Sequence, residues 1–105
     1  MRHSFENLLH KYGVDVAIWA HYHSYERTCA LFNANCVESG GTVHIVVGTA
    51  GKTLDTEEYY PMEWSLYREN NFGYGRLTQL SRSMLLWEWV QSSSSVVKDK
   101  VYLTK

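Results

Sequence analysis

The chain has 105 residues, 45% of them apolar and 14% aromatic, with ten basic side chains against eleven acidic ones and a net charge of −1. That length and balance describe one globular unit, residues 1–105, with room for a single modest core. Near-neutral charge without a Lys/Arg cluster argues against a nucleic-acid or anionic-membrane partner drawn in by long-range electrostatics, and no apolar run approaches the roughly 18 residues of a transmembrane helix.

Between His3 and Tyr12, the residues Phe5, Leu8, Leu9 and Tyr12 recur at helical spacing, with His10 and Lys11 near the end and Gly13 as the stop. This predicts a short amphipathic helix that needs a sheet to lie on. The start of the chain, MRHSFENLL, lacks the charged-then-apolar layout of a signal peptide, and no Asn-x-Ser/Thr acceptor occurs. Next comes VDVAIWA, Val14 to Ala20, whose only polar member is Asp15; such a run predicts a strand covered on both faces. Helix followed by buried strand is half of an α/β unit.

From His21 to Gly41 the chain is polar and reads as irregular, with NAN and SGG as turn chemistry. Within it, Cys29 and Cys36 either close a small loop, in an oxidising compartment, or remain two thiols; two cysteines do not decide. Thr42 to Gly48, TVHIVVG, is a second β-branched strand running into GTAGK. Thr53 to Asn71 holds acids, Pro61 and the aromatics Tyr59, Tyr60, Trp64 and Tyr67 without a clean period, which predicts a long self-packed loop with a helical turn at Met62 to Tyr67. The remainder is an antiparallel meander: FGYGRLTQL, a turn at Ser81 and Arg82, SMLLWEWVQ, a turn at Ser92 to Ser95, and VVKDKVYL. Alternation in the middle strand places Leu85, Trp87 and Trp89 on one face, with the tryptophans in the core, and Met84, Leu86, Glu88 and Val90 on the other.

His21 and His23 carry the chemistry. Residues i and i+2 of extended chain project to one side about 7 Å apart at Cα, so both imidazoles can reach one metal or each can reach one ion of a pair. The carboxyl end of a strand is also where α/β sheets place their sites. Two exposed loop histidines are the plainer reading of His-x-His alone.

The surroundings add to it. VDVAIWAHYHSYERTC resembles the terminal metal-ligand motif of purple acid phosphatases, binuclear metallophosphoesterases in which a strand ends in Gly-His-x-His followed by Tyr-Glu-Arg. MRHSFENLLHKYGVD resembles the helix before that strand, GTVHIVVGTAGK the family's glycine-ended strand, SLYRENNFGYGRL its Ser-x-x-Arg-Glu-x-x-Phe-Gly-x-x-Arg-Leu stretch, and LLWEWVQ with VVKDKVYL its last hairpin. In order, these cover essentially the whole chain. The resemblance implies an α/β fold: part of an αββα sandwich with one N-terminal helix, a buried strand and a mostly antiparallel C-terminal sheet.

It further implies hydrolysis of phosphate monoesters at a centre of Fe(III) plus a divalent zinc, manganese or iron ion, the metals lowering the nucleophile's pKa and neutralising developing charge. His21 would be a ligand of the divalent ion and His23 of the ferric ion. The other donors lie in N-terminal motifs that these 105 residues do not contain, so the N-terminal half of the domain is the expected partner and the chain alone is expected to be inactive. A truncated, non-catalytic domain that binds metal weakly or serves as an interaction fragment is the alternative. The ERTC…C element resembles a plant-like subgroup with paired cysteines, which favours a Cys29–Cys36 disulfide and a secreted protein.

Ala20 stands where the family has glycine, and a glycine there would permit positive φ or close backbone approach. Tyr25, Glu26 and Arg27 are expected to support the ligands or the structure. His44, in mid-strand, is expected to be a cross-strand or edge residue; Asp55, Glu57 and Glu58 to be a solvated acidic loop; and Trp64, Tyr67 and Phe72 to pack the long loop. GTAGK lacks the spacing of a phosphate-binding loop.

Overall fold

The computed structural model describes residues 2–20, 22–33, 35–51, 53–54 and 63–104. Helix α1 (Arg2–Lys11) leads into β1 (Val16–Trp19), β2 (Tyr25–Phe32), β3 (Asn35–Cys36), β4 (Thr42–Val47), β5 (Ser65–Glu69), β6 (Gly73–Ser81), β7 (Met84–Gln91) and β8 (Val97–Thr104). Two sheets form. In the first, β4 lies between β1, its parallel neighbour, and antiparallel β2, while β3 and β5 share the far edge of β2. The second is the antiparallel meander β6-β7-β8. Its first turn falls on Arg82 and Ser83, one residue later than the pattern predicted, because Ser81 still pairs with Met84.

Strand β2 corrects the reading of residues 21–41 as irregular. Its buried residues are Tyr25, Thr28 and Leu31, every third position, instead of every second. The cause is a break in register: pairing with β4 shifts between Arg27 and Ala30, and pairing with β5 between Arg27 and Thr28. Such a bulge re-aims side chains and erases the alternation by which strands are recognised. Where the ladder is interrupted, Thr28 Oγ1 accepts the His44 backbone N–H at 3.0 Å. Cys29 and Cys36 are joined by a disulfide that ties β2 to β3.

Two further expectations change. The helical turn expected at Met62 to Tyr67 is instead, over its described part, a turn at Glu63 and Trp64 followed by β5, since Ser65–Glu69 finds the β2 edge to pair with; Met62 lies outside the described residues. Strand β1 is not covered on both faces. Trp19, beneath the helix, lies against Phe5 with ring centroids 6.1 Å apart, but Ile18 on the opposite face is 48% exposed. Among the described residues β1 pairs with β4 alone, so it forms a sheet edge that the three-stranded second sheet does not overlie at Ile18.

Between the sheets lie Tyr25, Val43, Ile45, Trp87 and Trp89, flanked by Val16, Ala30, Val47, Tyr67, Val101 and Leu103. The tryptophan expectation holds: Trp87 and Trp89 are both buried, and Trp89 stacks on Tyr25 at 4.7 Å. A buried aromatic removes roughly 150–250 Å² from water, or about 4–6 kcal/mol before ordering costs. Gly75 makes room for this, because a Cβ there would sit 2.0 Å from the Trp87 ring.

Polar groups cross the same interface. Tyr25 donates its hydroxyl hydrogen to Asp99 Oδ2 at 2.6 Å and accepts from Trp87 Nε1 at 2.8 Å. Arg27 donates Nε and Nη2 to the two Asp99 oxygens at 2.8 and 3.1 Å. Every partner of Asp99 here comes from the other sheet, and the carboxylate is 8% exposed. Asp99→Ala is expected to lower stability by about 3–5 kcal/mol, because it strands a buried phenol and a partly buried guanidinium. Against a usual total of about 5–15 kcal/mol, urea denaturation of this variant should begin from a partly unfolded baseline.

Burial, and then bonding to Asp99, raises the Tyr25 phenol far above the usual tyrosine range; burial and the bond to Glu69 push Tyr67 up to about 12. A phenol that holds its proton more tightly when folded stabilises fully below its unfolded pKa of 10.0, and that stability is lost as pH rises through the folded value. The urea midpoint should therefore fall between pH 10 and about 12, and Tyr67→Phe should make that fall shallower.

Candidate functional site

Because β1 and β4 are parallel neighbours, the chain leaves both at the same end of the sheet. Two loops therefore emerge side by side: one with residues 20 and 22–24 after β1, and one that begins with residues 48–51 after β4. Gly48 N–H donates to Ser24 O at 3.2 Å. A Cβ on Gly48 would lie 1.9 Å from Tyr22 O and 2.9 Å from Ala20 O, so the first loop lies directly across this glycine. A tight backbone approach between the two loops is therefore made at Gly48. Ala20 itself is exposed, and among the described non-glycine residues only Asn33 and Ser95 have positive φ.

The same loop pair holds His23, whose Nδ1 lies 2.8 Å from Thr53 O. A carbonyl only accepts, so this bond makes Nδ1 the N–H donor and leaves the lone pair of the neutral ring on Nε2. An imidazole tied in this way is in the state that metal ligands adopt, with the outer hydrogen bond fixing tautomer and ring orientation. His21 lies outside the described residues, as do Asp55, Glu57 and Glu58. Among the described residues, no group of three or more His, Cys, Asp or Glu side chains is placed to hold a metal ion.

The other residues singled out by sequence take structural places. Tyr25 and Arg27 point into the sandwich toward Asp99. Glu26 accepts from Ser65 Oγ at 2.8 Å, across the β2–β5 pair. His44 is a cross-strand residue opposite Ala17 on β4, inside the sheet and not at its edge; it is 7% exposed, accepts from Trp19 Nε1 at 3.0 Å and stacks on that indole. Tyr67 packs beside Tyr25, whereas Phe72 is 43% exposed.

Sequence reasoning passed over Asp99, Gly48, Thr49 and Thr53. For Asp99 a signal existed: positions 97, 99, 101 and 103 share one face of β8, so an acid there interrupts an inward-facing apolar row. For Thr53 there was none, since it acts through its backbone carbonyl. Gly48→Ala is expected to cost about 1–3 kcal/mol or more, as overpacking against backbone does, and to displace the His23 loop. Chemical-shift changes concentrated at residues 22–24 and 49–53, with a lowered urea midpoint, would report it.

Comparison with known proteins agrees with this geometry. Residues 41–100 match the family described as "Iron/zinc purple acid phosphatase-like protein C". The chain is 38% identical to the Arabidopsis thaliana protein named probable inactive purple acid phosphatase 27, over 93% of this chain and 18% of that one. It is 35% identical to a Hordeum vulgare nucleotide pyrophosphatase/phosphodiesterase, over 93% of this chain and 29% of the relative. The chain thus spans less than a third of these curated relatives. Its fold superposes on purple acid phosphatase PPD1 from yellow lupin (Lupinus luteus) seeds with a TM-score of 0.89 and 33% identity, covering 95% of this chain and 19% of that one. On the family match over residues 41–100, the identities to these relatives and this superposition, the chain belongs to the purple acid phosphatase family and corresponds to its C-terminal portion.

Proposed function

We propose that the chain forms the His-x-His end of a binuclear metal centre that hydrolyses phosphate monoesters at acidic pH. His21 would bind a divalent zinc, manganese or iron ion, and His23 the ferric ion. The observation that carries this reading is the Thr53 carbonyl on His23 Nδ1, which leaves Nε2 with the lone pair at the carboxyl end of β1. Bound metals would supply Lewis-acid activation of water and charge neutralisation at the phosphoryl group. What this chain contributes is placement. Both histidines must be neutral to bind, so acidification weakens metal affinity.

The phosphate ester and the second partner belong to the same proposal. The remaining donors would come from the N-terminal half of the domain, which would pack on the open surfaces here: Ile18 on β1, Phe5 and Leu8 on α1 and Tyr12 in the turn after it, each 43–72% exposed. The Cys29–Cys36 disulfide supports a secreted setting.

A specific observation favours a second reading. Three similar Arabidopsis thaliana proteins are named probable inactive purple acid phosphatases. Two histidine donors also fall short of the three or four protein donors that each metal requires. A non-catalytic domain that binds metal weakly fits both points.

Metal analysis and turnover of a generic aryl phosphate separate these readings. The 105-residue chain alone should hold no stoichiometric iron and zinc, turn nothing over and be poorly soluble, because its sheet edge and apolar helix face lie open. Joined to an N-terminal phosphatase half that carries the missing donors, it should gain both metals and turnover, and His23→Ala should abolish both. Turnover by the chain alone would overturn its inactivity in isolation; a joined protein without metal would overturn the catalytic reading.

A further inference from the structure

Thr49 is completely buried, yet its hydroxyl is fully engaged. It donates to Gly73 O on β6 at 3.0 Å and accepts from Trp89 Nε1 on β7 at 3.2 Å. The Thr49 carbonyl also accepts the Gly73 N–H at 3.0 Å. One residue therefore fastens the start of the post-β4 loop to two strands of the second sheet. Four residues on, Thr53 of the same loop presents the carbonyl that meets His23 Nδ1 at 2.8 Å. One residue before, Gly48 N–H holds Ser24 O beside that histidine.

We infer that Thr49 is a positioning residue for His23: its hydroxyl anchors the loop so that the Thr53 carbonyl holds the imidazole in the Nδ1–H tautomer. The two contacts to Gly73, one from the Thr49 hydroxyl and one from its carbonyl, hold the loop to β6 alone. The Trp89 indole supplies a hold on a second strand, and Trp89 is rigid because its ring is stacked on Tyr25 in the core. Thr49 thereby connects the position of His23 to the packing of the sandwich. The relevance of this to catalysis rests on the metal-ligand reading proposed above; the hold on the ring does not.

The test uses the 105-residue chain labelled with ¹⁵N-histidine, with long-range ¹H–¹⁵N spectra recorded where the rings are neutral and the His23 signals assigned by their loss in His23→Gln. The wild-type ring should show a protonated Nδ1 and an unprotonated Nε2. Thr49→Val, which keeps the shape and removes the hydroxyl, should lose that pattern in favour of a mixed tautomer population, and Thr49→Ser should retain it. A folded Thr49→Val chain with an unchanged His23 pattern would overturn the inference. Should circular dichroism show that Thr49→Val does not fold, Trp89→Phe decides: removing the indole donor should shift the His23 tautomer, and an unchanged pattern overturns the role. Zn²⁺ is then added to the chain joined to an N-terminal phosphatase half that carries the missing donors. A shift at His23 Nε2 there supports the metal-ligand reading, whereas an Nδ1–H ring that Zn²⁺ leaves unmoved supports the Thr49 role and overturns the metal-ligand reading.

Discussion

The Asp99 carboxylate is the point at which the two sheets hold each other. Tyr25 and Arg27, two residues apart on β2, both reach it from the first sheet, and Trp87 of the second sheet donates to the Tyr25 hydroxyl. A buried charge is tolerated only when it is paired and its lone pairs are occupied, and here the guanidinium takes both oxygens while the phenol adds a third bond. Apolar packing between sheets is non-directional and would allow them to slide. The three-way bond admits one alignment of β2 over β7 and β8.

That alignment reaches the candidate centre. Tyr25 lies two residues beyond His23, and its ring is stacked on Trp89, whose indole N–H occupies the Thr49 hydroxyl. Tyr25 holds the far side of the histidine loop, and Thr49 holds the loop that carries the Thr53 carbonyl. Both lead back to the same packed aromatics. The Tyr-Glu-Arg that follows the histidines therefore acts as the clamp between the loop and the sandwich: its tyrosine and arginine face Asp99, and its glutamate faces outward to Ser65 on β5.

How far the fold could be read in advance differs from strand to strand. The meander was legible because the β7 tryptophans lie where alternation puts them, although the pattern breaks at Val90, which is buried beside Trp89 where the pairing with β8 shifts register. Strand β2 was hidden, although it is central, because its bulge replaces a period of two by a period of three. Strand β5 was hidden because nothing in its own residues outweighs the loop composition around it; the open β2 edge makes it a strand. For β1 the sequence overstated burial, since an apolar run records what a strand can cover and not what lies over it in this chain.

By itself, the sequence determined the helix, the β1 and β4 strands, the final meander and the position of His23 just beyond a strand end, because these follow from local periodicity and from motifs in fixed order. The tertiary structure decided the rest: which glycine the histidine loop presses against, which carbonyl fixes the His23 ring, and which acid joins the sheets. Gly48, Thr53 and Asp99 are 25 to 76 residues from His23 along the chain. Their roles depend on parallel pairing of β1 with β4 and on packing of one sheet over the other, and no local pattern encodes a contact between segments so far apart.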